Sequence, residues 1–142
     1  MSLYQIVTAN FNSSYTSTST YISYNTWSNW NNPPITLRNV NTIAGSTNGT
    51  FLAICSRGKI NISTNSGTTW TFIEISDNSP GSSSMSGDGT KLIVTVGGGD
   101  NNVYLYTYNG TTWIANSITP PNNPFSFRFF LVLCLQMVVY FI

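Results

Sequence analysis

Apolar and polar positions alternate in short blocks along the first 124 residues, and each block reads as a strand or a turn. Residues 51–55 (Phe-Leu-Ala-Ile-Cys) and 92–96 (Leu-Ile-Val-Thr-Val) are compact apolar runs of strand length. Residues 60–63 and 103–106 alternate in hydrophobicity, as a strand with one buried face does. Residues 69–75 and 112–118 are strands entered through Thr-Trp. Asn48-Gly49, Asp88-Gly89 and Asn109-Gly110 separate these runs. Asn-Gly and Asp-Gly are strong hairpin signals, because Gly, Asn and Asp tolerate the positive φ that tight turns demand. A fourth strand is expected near 40–44 and again near 82–86.

The blocks repeat. Ser46-Thr47-Asn48-Gly49-Thr50 falls on Ser86-Gly87-Asp88-Gly89-Thr90 at an offset of 40. The segment from Ile60 to Trp70 falls on that from Val103 to Trp113 at an offset of 43, because residues 97–102 lengthen one turn. Moving back by 40, Ile22 and Trp30 meet Ile62 and Trp70. Three units ending near Trp30, Trp70 and Trp113 are therefore expected, the first and last incomplete. Four short antiparallel strands in about 40 residues is the size of one propeller blade. The expected fold is all-β, with about three propeller-like blades of four antiparallel strands over 1–124 and a hydrophobic tail over 125–142. A two-sheet sandwich is the competing architecture, but it has no reason to repeat a Trp at this interval.

Composition narrows the function more than the fold. Charged residues are 6% of the chain and the formal net charge is +1, from five basic and four acidic side chains. Scattered cations do not form the basic face that a nucleic-acid partner requires. Histidine is absent, which removes the commonest general base and metal ligand together. No metal and no cofactor are expected. Cys55 and Cys134 both lie in apolar surroundings and read as buried thiols, with a disulfide the alternative. The first residues show no charged leader before an apolar stretch, so no signal peptide is expected.

Ser63-Thr64-Asn65-Ser66-Gly67-Thr68-Thr69-Trp70 resembles the Asp-box, or BNR repeat, whose pattern is Ser/Thr-x-Asp-x-Gly-x-x-Trp. The resemblance covers about residues 20–125. It implies a hairpin between the third and fourth strands of a propeller blade, tied by the acidic side chain and the Gly turn, with the Trp packed between blades. Here Ser63, Asn65, Gly67 and Trp70 fill the pattern, with a carboxamide in place of the carboxylate. A second copy keeps Gly110 and Trp113 but has Tyr108 at the acidic position. A third keeps Asn25 and Trp30 but has Trp27 at the Gly position. Such boxes are structural staples, found in sialidases and in many non-catalytic proteins, so the resemblance implies a fold and not a reaction.

No catalytic constellation is legible. Sialidases of that family use three Arg, a Tyr/Glu pair and an acid, whereas the repeats offer Arg38, Arg57, Glu74, Asp77, Asp88 and Asp100. Asp88 takes the place of Asn48, which marks it as a turn residue rather than one of the two carboxylates that glycoside hydrolysis needs. Residues 97–100 lack the Lys-Ser/Thr of a phosphate loop, and 100–102 carry too few carboxylates for calcium. The Asn-x-Ser/Thr sequons at Asn12, Asn48, Asn61 and Asn109 read as chance. The expected function is a non-catalytic binding or structural module that recognises a glycan or a protein partner, or self-associates through open blade edges. The alternative is a fragment of a glycoside hydrolase whose catalytic residues lie elsewhere.

The tail over 125–142 keeps three readings open: a disrupted reading frame, a packed terminal strand or helix, or a membrane contact. The third is not favoured, since the apolar run after Arg128 is 14 residues and holds Gln136, against about 20 for a spanning helix.

Overall fold

The computed structural model describes residues 5–10, 18–23, 29–37, 39–75, 79–97 and 102–118. The expected tail, Asn25, Arg38, Asp77 and Asp100 lie outside these residues. The described chain is all-β. It forms eleven strands: β1 (Gln5–Asn10), β2 (Thr18–Ser23), β3 (Trp30–Asn31), β4 (Val40–Gly45), β5 (Leu52–Ser56), β6 (Lys59–Ser63), β7 (Thr71–Glu74), β8 (Ser79–Met85), β9 (Lys91–Gly97), β10 (Asn102–Tyr108) and β11 (Trp113–Ser117).

These make three antiparallel sheets, each a meander in chain order: β1-β2-β3, β4-β5-β6-β7 and β8-β9-β10-β11. The expected fourth strands are present as β4 and β8. The last unit is complete, contrary to expectation. The first has three strands among the described residues. Matching Ile22 to Ile62 and Trp30 to Trp70, β2 answers to β6, β3 to β7 and β1 to β5. Among the described residues the sheets do not close into a ring.

Periodicity decides which faces are covered. In β9, Leu92, Val94 and Val96 are buried while Lys91, Ile93 and Thr95 are less so. The buried set packs with Met85 and Tyr106 against Ala53, Cys55, Ile60 and Ile62 of the second sheet. All five residues of β5 are buried, so Leu52 and Ile54, which point the opposite way, are covered too. β5 is thus a strand buried on both faces, and its unbroken apolar run follows from that.

The first strands of successive sheets lie side by side. β4 runs along β8, joined by Thr42 Oγ1 to Ser83 Oγ at 2.9 Å and by the Asn41 amide donating to Pro80 O at 2.9 Å. The Ser83 N–H donates to Thr42 Oγ1 at 3.1 Å. Both strands carry a bulge at the same repeat position, between Val40 and Thr42 and between Pro80 and Ser82. Short hydroxyl and amide contacts thus join the sheets where charged side chains would find no water.

The turn preceding the second strand is built the same way in both complete sheets. Ser46 Oγ donates to Asn48 Oδ1, which also accepts the Thr50 N–H, and the Phe51 N–H returns to Ser46 Oγ. Ser86, Asp88, Thr90 and Lys91 repeat the pattern bond for bond. The two turns touch, with the Thr47 N–H donating to Gly87 O at 2.9 Å. Phe51 lies over Gly89, whose φ is +79° and where an added Cβ would fall 2.3 Å from the ring. Gly110 has φ +95° but open space around it. Gly89→Ala should therefore cost about 3 kcal/mol, from backbone strain plus overpacking, and Gly110→Ala about 1 kcal/mol from backbone alone. Chemical denaturation of the two variants measures the difference.

Candidate functional site

The Asp-box-like segment leaves β6 at Ser63 and enters β7 at Thr71 through a loop that uses its own side chains as partners. Ser63 is buried at the strand end and its hydroxyl donates to Asn65 Oδ1 at 3.0 Å. Ser63 Oγ in turn accepts the Gly67 N–H at 2.8 Å and the Asn65 N–H at 3.3 Å. Asn65 Oδ1 accepts the Thr69 N–H at 2.9 Å, and its amide donates to Thr69 Oγ1 at 2.8 Å. Ser66 and Gly67 take φ of 57° and 81°, which reverses the chain. Trp70 Nε1 then closes the loop on Gly67 O at 2.9 Å. Short polar side chains are needed here because the loop's backbone groups have no ladder partner.

The second copy is closed differently. Tyr108 pairs directly with Trp113, leaving a four-residue loop of Asn109, Gly110, Thr111 and Thr112. In the first copy the last pair is Ile62 with Thr71. The final strand of the third sheet is therefore slid by two residues, an even number that leaves each side chain on its own face. Tyr108 does not act as the turn acceptor. Asn109, one residue later, accepts the Thr111 and Thr112 N–H groups at 2.9 and 2.8 Å. An Asn beside a Gly at a hairpin tip was the available signal for this role.

The Tyr108 hydroxyl instead donates to Gly110 O at 2.9 Å, the carbonyl equivalent to the one that Trp70 uses. Trp113 Nε1 is buried without a partner. The Trp113 ring still packs on the second sheet, with Phe51 edge-on at 6.4 Å and Tyr108 at 5.3 Å. Trp30 is half-buried in β3, opposite Ser23. The structure therefore brings Ser63, Asn65, Gly67 and Trp70 into one network and Gly110 and Trp113 into another.

Ionisable groups near these turns are shifted toward inertness. The hydroxyl of Ser86 and the N–H and hydroxyl of Thr90 hold the Asp88 carboxyl below its usual range, with Lys91 adding a smaller contribution. Burial pushes the Cys55 thiol up to about 12, against a hydrogen bond from Ser83 that lowers it. Burial also raises Tyr106 to about 12. Glu74 is exposed at the end of β7, and Lys59 lies 4.6 Å from the centre of the exposed Phe72 ring. Among the described residues no three His, Cys, Asp or Glu gather as metal ligands, and no helix is long and apolar enough to cross a membrane.

No known protein family matches this chain, and no curated protein matches it either.

Three outcomes follow from the networks. Trp70→Phe should destabilise the protein by about 1 kcal/mol more than Trp113→Phe, because only Trp70 gives up a hydrogen bond. Equilibrium urea titration of both variants measures this. Asn65→Ala should cost about 1–2 kcal/mol, while Asn65→Asp should hold stability at pH 7 by accepting the Thr69 hydroxyl as Asp88 accepts that of Thr90. Asp88 has a lowered folded pKa, so the stability it adds is complete above its unfolded value near 3.8 and is lost as pH falls through the folded value. Asp88→Asn should flatten that acid limb and leave neutral pH almost unchanged, as read from thermal melts between pH 2 and 7.

Proposed function

We propose that this chain is a non-catalytic binding module whose repeats are propeller-like blades and whose β6–β7 hairpin is an Asp-box with Asn in the acidic position. The observation that carries this reading is the closed network of Ser63, Asn65, Gly67, Thr69 and Trp70, in which each polar group of the motif serves the turn. A motif that uses its donors and acceptors internally stabilises a hairpin and has none directed at a substrate. The Asp88 carboxylate is held ionised in the same way, and the Cys55 thiol is held protonated, so neither is poised as an acid or a nucleophile at neutral pH.

Recognition then falls to exposed surface. Phe72 is 56% exposed on β7, directly across from Asn61 and beside Lys59, whose ammonium lies over its ring. An aromatic face with an amide and a cation beside it suits the apolar face and hydroxyls of a sugar, or a polar protein loop. A glycan array with the intact chain tests the sugar reading. Retention that falls at least about tenfold in Phe72→Ala, with the melting temperature unchanged, is the expected result. Turnover of a chromogenic glycoside by the purified chain would refute the non-catalytic reading.

A further inference from the structure

An asparagine followed by glycine can modify itself, because the glycine nitrogen has no neighbouring side chain to shield it from the carboxamide. Two such pairs occur here, Asn48-Gly49 and Asn109-Gly110. Both asparagines are exposed, and both carboxamide oxygens serve their own turns. Residue type and solvent access therefore do not separate them.

The amide that follows does. The Gly49 N–H donates to Ser46 O at 3.0 Å, and Gly49 is buried. Asn48 Oδ1 is held from two sides, by the Ser46 hydroxyl at 2.8 Å and the Thr50 N–H at 3.0 Å. Asn65 is guarded similarly, since the Ser66 N–H that follows it donates to Thr50 O at 2.9 Å. Gly110 differs. It is exposed, an added Cβ would meet nothing within 4 Å, and among the described residues its N–H has no hydrogen-bond partner. The loop closes around this nitrogen, through the Asn109 N–H to Thr112 O at 3.1 Å and the Tyr108 hydroxyl to Gly110 O. The electrophile is prepared as well. Asn109 Oδ1 accepts the Thr111 and Thr112 N–H groups at 2.9 and 2.8 Å. Two backbone donors on one carbonyl oxygen stabilise the negative charge that develops there when a nucleophile adds to the carbon, as in an oxyanion hole.

We infer that Asn109 deamidates spontaneously in the folded protein while Asn48 is spared. The Gly110 nitrogen gives its proton to water and bonds to Asn109 Cγ. The Cγ–Nδ2 bond breaks, and ammonia leaves with a proton from water. A five-membered succinimide remains, which a water molecule opens. Opening at Cγ yields aspartate at position 109, and opening at the main-chain carbonyl yields isoaspartate, with the backbone running through Cγ. The products differ in their effect. An aspartate oxygen accepts the same two N–H groups with added charge, as Asp88 accepts that of Thr90. Isoaspartate lengthens the backbone by one methylene between Tyr108 and Trp113, which pair across the loop and both touch Phe51. Either product sets five acidic side chains against five basic ones, so the formal charge falls from +1 to 0. The inference concerns this hairpin and is independent of the binding role proposed above.

The full chain is incubated in mildly alkaline buffer, the one-dalton gain is located by peptide mapping, and isoaspartate is counted with an isoaspartyl methyltransferase. In the folded chain residue 109 should be modified at least about tenfold faster than residue 48, the factor that one hydrogen bond and burial impose on a rate. In denaturant the two rates should converge, because both protections are lost. Asn109→Gln should silence the fast site, since its longer side chain closes a larger ring slowly. Asn109→Asp should melt with the parent chain, and the isolated isoaspartyl fraction should melt about 4 °C lower. Equal rates at the two positions in the folded chain would overturn the inference, as would faster modification of Asn48. So would a folded chain left intact at 109 under conditions that modify the denatured chain there. An isoaspartyl fraction that melts with the parent would overturn the consequence drawn for the hairpin.

Discussion

Phe51 rests on the bare backbone of Gly89, and this contact sets the distance between the second and third sheets. It joins two requirements that meet at one residue: Gly89 must take a positive φ to make the turn, and it must have no side chain for the ring to approach. Around the ring stand Tyr108 and Trp113, both in edge or tilted contact. The turn before β9, the hairpin after β10 and the end of β5 thus share one aromatic cluster. Disturbing the turn displaces the ring, which packs against the core cluster shared by the second and third sheets.

The scarcity of charge explains the rest of the polar architecture. A chain with 6% charged residues must satisfy its loops with hydroxyls and carboxamides, and it does so over very short sequence distances. Ser46 with Asn48, Ser63 with Asn65 and Ser86 with Asp88 are the same device at three places, a hydroxyl two residues before an Asx oxygen. Each pair organises its own turn without a distant partner. Longer-range polar contacts gather along the seam of β4 and β8, where Thr42, Ser83 and Asn41 replace the water that the sheets exclude.

Much of this was legible beforehand because turn chemistry and strand period are local. The three units, the four-strand order and the fourth strands followed from Asn-Gly, Asp-Gly and the spacing of Trp70 and Trp113. The bulges at Asn41 and Gly81 were not legible, since a bulge is a mismatch between two strands and neither strand announces it alone. The two-residue slide of β11 was hidden for the same reason, and it moved the turn acceptor from Tyr108 to Asn109. The last unit, expected to be incomplete like the first, forms a full four-stranded sheet, while the first has three strands among the described residues. At the candidate site, residue types identified the network around Ser63 and Asn65. The orphaned Trp113 indole could not be read, because it depends on the Tyr108 hydroxyl reaching Gly110 first.

Every ladder within the three sheets joins strands adjacent in the chain, and this has a consequence for how the molecule comes into being. Low sequence separation within a sheet means that little loop entropy is lost before pairing begins, so each meander can nucleate by itself. What couples one meander to the next is the β4–β8 seam and the Phe51 cluster, both formed late by their long separation. A chain emerging from the ribosome would pair its second sheet before the third existed, with β5 waiting half-covered for the strands that follow. The order of assembly is then the order of synthesis, and the double burial of β5 is completed only when Leu92 and Val94 arrive.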